Sequence, residues 1–95
     1  MGRRSKKTRV ASLHDERYQQ FIELLVQRRK ASGLSQQGVA DALGWNQSQV
    51  AKIETCQRRI DVIELIRLAD VIGIDASRLL SEVRKAMIGA GEIHG

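Results

Sequence analysis

Residues 46–54 read NQSQVAKIE, and Gln47, Ser48, Ala51 and Lys52 fall at i, i+1, i+4 and i+5, along one flank of a helix. Their chemistry suits the edges of nucleobases. A glutamine amide sets a donor beside an acceptor, the pair that matches adenine N6 and N7; lysine can donate to guanine O6 and N7, serine is adaptable, and alanine leaves room for a thymine methyl. A plain solvated face carries the same residue types, so the surrounding elements must decide between the two. Other chemistry has no constellation in this chain. There is no nucleophile with a spaced histidine base, no glycine loop to cradle phosphate and no metal-ligand spacing, and His14 and His94 stand far apart near the two ends. The expectation is a non-enzymatic protein with no cofactor and no metal.

The elements that must hold that flank announce themselves by their caps. Tyr18, Phe21, Ile22 and Leu25 recur at i, i+3, i+4 and i+7, which predicts a first helix from about Asp15 to Ser32-Gly33. Four later boundaries repeat one pattern, an apolar residue, a capping residue, and a second apolar residue four positions after the cap. They are Leu34-Ser35 with Val39, Trp45-Asn46 with Val50, Ile60-Asp61 with Leu65, and Ile74-Asp75 with Leu79. Asn46 with Gln49 and Asp61 with Glu64 also satisfy the spacing of a capping box. The predicted helices are 15–32, 36–43, 47–54, 62–72 and 76–88, with no alternating strand pattern, so the fold class is all-α with five helices. Only Gly44-Trp45-Asn46 separates the second helix from the third, a helix-turn-helix in which Val50 and Ile53 face the bundle and the polar flank faces out. Trp45, in the stapling position, is expected to pack against Val50. A glutamine begins each of these two helices, Gln36 and Gln47, where free N–H groups and the positive dipole end favour phosphate.

Composition agrees with a polyanionic partner. The 95 residues carry 16 basic against 11 acidic side chains, a net charge of +5 and a pI of about 10.0. Arg3, Arg4, Lys6 and Lys7 crowd a start nearly without apolar residues, so residues 1–14 are expected to form a flexible basic arm, residues 15–88 the folded domain, and residues 89–95 a flexible tail. The start has no apolar stretch of a secretory signal and no run reaches transmembrane length, while the lone Cys56 cannot form an internal bridge. A cytoplasmic, nucleoid-associated protein without membrane contact fits these features.

The run GLSQQGVADALGWNQSQVAKIE, continued by TCQRRIDVIELIRLADVIGIDASRLL, resembles the DNA-binding domain of the lambda-repressor and Cro (XRE-type) helix-turn-helix family over about residues 18–81. The resemblance implies a five-helix DNA-binding domain. It implies that Gln36 touches phosphate and braces Gln47, that Gln47 reads a base, and that Ser48 and Lys52 occupy further base-contacting positions. It also implies an ion pair between Arg29 and Glu54 that joins the first and third helices, and an N-terminal arm similar to the one that lambda-repressor members wrap around DNA. Ser35, Gln49, Thr55, Arg58 and Arg59 complete the expected phosphate contacts, together with Arg3, Arg4, Lys6 and Lys7 of the arm. Two positions depart from the family pattern. Cys56 stands where glycine is usual, and Gly38 replaces a common acid at a helix cost of about 0.5–1 kcal/mol relative to alanine.

The expected function is a sequence-specific regulator of transcription, acting as a repressor and a homodimer on duplex half-sites about 34–36 Å apart. Leu80, Val83, Met87 and Ile88 are the candidate dimer contacts, with Leu79 and Val83 serving mostly the core. Two other classes use the same features. One is a protein-interaction module of antitoxin or coactivator type whose partner is a toxin or RNA polymerase, and the other is a non-specific nucleic-acid binder driven by the arm.

Overall fold

The computed structural model describes residues 15–89, with side chains described to Ala86. The elements are α1 (Glu16–Ala31), α2 (Gln36–Leu43), α3 (Gln47–Glu54), α4 (Val62–Ile72) and α5 (Ala76–Gly89). Among the described residues there is no strand.

Each helix begins where a side chain can take over a free backbone donor. Asp15 accepts from Arg17 N–H, Ser35 from Gly38 N–H, Asn46 from Gln49 N–H and Asp61 from Glu64 N–H. At Asn46 and Asp61 the return bond is also made, so both capping boxes close. Asp75 accepts from both the backbone N–H and the hydroxyl of Ser77 at the start of α5. These short helices cannot persist alone, and their stability must come from packing.

The apolar stripes converge on one core. Ile22 and Leu25 of α1, Val39, Ala40 and Leu43 of α2, Val50 and Ile53 of α3, Ile60 of the following loop, Leu65, Leu68 and Ile72 of α4, and Leu79 of α5 are all buried. Each fully buried Leu, Ile or Val contributes about 1.5–3 kcal/mol relative to exposure. α2 packs on both α3 and α4, α1 packs on α3 and α5, and α4 closes against α5. The helix-turn-helix is therefore held from behind by α1 and α4, leaving its outer flank bare. Tyr18 locks the long α3–α4 connection from a distance, its hydroxyl accepting from Ile60 N–H at 3.2 Å. Among the described residues no helix is long and apolar enough to cross a membrane.

Candidate nucleic-acid interface

The turn between α2 and α3 is built by backbone chemistry. Gly44 ends α2 in the left-handed region at φ 75°, where a side chain would be strained, and Trp45 N–H then closes back on Ala40 C=O at 2.9 Å. Asn46 restarts the chain, and its capping box with Gln49 sets the first turn of α3. Val50 and Ile53 are buried, which rotates Gln47, Ser48 and Lys52 into solvent and leaves Ala51 half-buried beside them. The four residues of the polar flank thus share the open side of α3.

Behind that flank runs a connected set of hydrogen bonds. Gln47 Nε2 donates to Gln36 Oε1 at 2.7 Å, and Gln36 Nε2 donates to Glu54 Oε1 at 2.8 Å. Arg29 grips the same carboxylate through Nε at 2.6 Å and Nη2 at 2.9 Å, and its Nη1 donates to Leu34 C=O at 2.8 Å. Arg29 is buried, so the ion pair and the carbonyl together satisfy a charge taken out of water. The resemblance implied the Gln36–Gln47 brace and the Arg29–Glu54 pair separately; the Gln36–Glu54 bond that joins them was not anticipated.

The expected phosphate contacts have mixed surroundings. Ser35 and Gln49 spend acceptor oxygens on capping, leaving the Ser35 hydroxyl proton and the Gln49 amide protons to donate. The Thr55 hydroxyl donates to Ala51 C=O at 2.9 Å, and Ser48, expected to contact a base, donates its hydroxyl to Asn46 Oδ1 at 2.7 Å. Arg58 makes a two-pronged contact with Glu64, which holds the Glu64 carboxyl below its ordinary range and raises the guanidinium's own value. The Arg59 guanidinium lies 5.5 Å from the centre of the Tyr18 ring. Arg3, Arg4, Lys6 and Lys7 lie outside the described residues, as do the residues of the expected tail beyond 89.

Sequence reasoning missed two features. Arg67 of α4 donates to Leu43 C=O at 3.0 Å and lies 5.9 Å from the centre of the Trp45 ring, clamping the turn from the side. Nothing in the spacing of an arginine on α4 announces a partner more than twenty residues earlier. The second is an exposed apolar patch, of which only Leu80 was expected: Val62, Ile66 and Leu80 line one hollow, and exposed Ile63 lies three residues before Ile66 on α4, one turn away. Its signal was present, since Ile63 and Ile66 fall off the stripe formed by Leu65, Leu68 and Ile72. Of the expected dimer contacts Leu80 is exposed and Val83 is half-buried against a hollow shared with Leu24, while the side chains of Met87 and Ile88 lie outside the described residues.

Cys56 supplies a further test of kinship. It takes φ 60°, the left-handed region, just past Thr55, the residue that caps the end of α3, in the conformation for which glycine is the ordinary choice. A helix-turn-helix family model matches residues 25–79, more than half of the chain and all of α2, α3 and α4. This chain belongs to the XRE-type helix-turn-helix family. It is similar to a solved structure described as an XRE-family like protein from Pseudomonas syringae pv. tomato str. DC3000. The two share 39% identity and a TM-score of 0.75 over 81% of this chain and 94% of that one. Among curated proteins none matches. The XRE-type domain is a non-enzymatic DNA-binding module, and the open flank of α3 belongs to the third helix of this family's fold.

Proposed function

We propose that this XRE-family domain is a sequence-specific regulator of transcription that lays α3 in the major groove of duplex DNA, acting in the cytoplasm as a homodimer and most simply as a repressor. The observation that carries the proposal is the exposed flank of α3 with Gln47 held in place by Gln36. Gln47, Ser48, Ala51 and Lys52 read base edges; Ser35, Gln36 and Gln49 donate to phosphates around the groove. Thr55, Arg58 and Arg59 reach phosphate by sharing or leaving their present partners, and Arg3, Arg4, Lys6 and Lys7 add sequence-independent affinity. A homodimer is favoured by the exposed patch of Val62, Ile63, Ile66 and Leu80, because single exposed aliphatic residues are common but a cluster marks a contact surface. The same patch would serve a protein partner such as RNA polymerase or a toxin.

Selection of bound duplexes from a random-sequence pool at physiological salt tests this reading. The expected result is a two-fold-symmetric motif with half-sites one helical turn apart, about 34–36 Å. Binding without enrichment would replace it with a non-specific binder, and absence of binding would turn attention to a protein partner.

A further inference from the structure

The hydrogen bonds behind α3 have a direction, and the chemistry of one group dictates it. The carboxylate of Glu54, paired with the Arg29 guanidinium, can only accept. The Gln36 atom 2.8 Å from it is therefore the amide nitrogen, which turns Gln36 Oε1 toward Gln47. That oxygen in turn can only accept, so the Gln47 atom 2.7 Å away is also nitrogen. Gln47 is left with one free N–H beside a free Oε1. This ordered pair complements adenine, with Oε1 accepting from N6–H and the N–H donating to N7.

We propose that Glu54 is a positioning residue for base recognition, which sets through Gln36 the donor–acceptor order that Gln47 presents to the DNA. The proposal rests on the reading of Gln47 as a base-contacting residue and goes beyond it by assigning the origin of its orientation. Arg29 has a part as well. Two of its hydrogen bonds go to the carboxylate and the third anchors the guanidinium on Leu34 C=O, so an ion pair that otherwise looks purely structural reaches the reading face through two amides. A neutral amide in place of the Glu54 carboxylate removes the dictation. In a Glu54→Gln variant the new side chain could offer N–H to Gln36 Oε1, reverse both amides, and turn the Gln47 NH2 outward as two donors, an arrangement that suits the two acceptors of guanine rather than the mixed pair of adenine.

The test compares selected sites for the full chain and for Gln47→Ala, Gln36→Ala and Glu54→Gln, under conditions in which circular dichroism shows each variant folded. Gln47→Ala identifies the base pair that Gln47 reads. At that position the wild type should discriminate roughly 5- to 150-fold for adenine, and replacing that adenine with 7-deazaadenine, which lacks N7, should weaken wild-type binding. Both Gln36→Ala and Glu54→Gln should lose the preference for adenine and the 7-deaza sensitivity at that position while preferences elsewhere in the site persist, with any preference that Glu54→Gln regains there going to guanine. A folded Glu54→Gln protein with wild-type preference there, or with equal loss at every position, overturns the proposal. Should Glu54→Gln not fold, Gln36→Ala decides, because it leaves the Arg29–Glu54 pair in place; retention of the preference then overturns the relay. If Gln47→Ala moves no position, the base-reading assignment itself fails, a result distinct from failure of the relay alone.

Discussion

Arg29 of α1 and Glu54 at the end of α3 meet across 25 residues of sequence, with Nε 2.6 Å from Oε2 and side chains only 10% and 9% exposed. A pair this buried contributes little over a well-packed apolar pair, but removing one partner strands a charge. Arg29→Met or Glu54→Leu alone is expected to cost about 3–5 kcal/mol, and the two together much less than the sum of the singles. Urea unfolding of the two single variants and the double variant measures the difference; additive costs would show that the two residues are not coupled.

Arg67 and Trp45 offer a second energetic test at the turn. Arg67→Ala removes the ring contact and the bond to Leu43 C=O, and should destabilise the domain by about 1–2 kcal/mol. The chain has a single tryptophan, so its fluorescence reports this site directly. An unchanged emission spectrum and unfolding midpoint would count against the clamp.

Position 56 separates backbone demand from side-chain packing. The left-handed conformation costs a residue with a Cβ about 1–2 kcal/mol, so Cys56→Gly should be neutral to stabilising and Cys56→Val clearly destabilising. Burial, with the negative charge of Glu23 adding to it, pushes the Cys56 thiol up from its ordinary value. Iodoacetamide should therefore modify the folded protein more slowly at pH 8 than the urea-unfolded chain. Equal rates would show the thiol to be open.

The acid limb of stability follows from depressed carboxylates. The Arg58 contact lowers the folded-state Glu64 value below 4.5, and the Arg17 contacts lower Asp15 to about 2. A depressed folded value means stability that is fully present above the unfolded value and lost as pH falls through the folded one. Unfolding midpoints should stay level with respect to these groups from pH 7 to about 5 and fall below about 4.5. Glu64→Gln should start lower at neutral pH and decline less steeply; a parallel decline would remove Glu64 from the account.

The exposed patch yields a prediction about assembly. Ile63→Glu and Leu80→Glu replace exposed apolar side chains with charges, and should shift the protein toward monomer in sedimentation analysis while circular dichroism shows both variants folded. Half-site binding should survive while cooperative binding to the full site is lost. Wild-type sedimentation by both variants would move the dimer contact elsewhere.

The helices were legible because their ends are written locally. Ser35, Asn46, Asp61 and Asp75 each satisfy backbone donors two or three residues away, and the apolar stripes of α1 and α4 repeat at helical spacing. For α2, α3 and α4 the expected limits agree with those observed, and α1 and α5 differ by a residue at their ends. The family was legible for a related reason: its motif is short, contiguous and dense in capping and turn residues. The outward face of α3 also followed from spacing, since burying Val50 and Ile53 leaves only one direction for Gln47 and Lys52.

What the sequence determined by itself was the set of elements, their ends and the character of each face, all of which depend on interactions within a few residues. Only the tertiary structure decided which distant groups meet. Arg67 finds Trp45, Arg58 turns to Glu64, and Val62 and Ile63 stay uncovered because the packing of α4 on α2 and α5 fixes where each side chain ends. The same holds for the direction of the Gln47–Gln36–Glu54 bonds. An amide can face either way on its own helix, and it acquires a unique orientation only when packing brings it against a group that can solely accept.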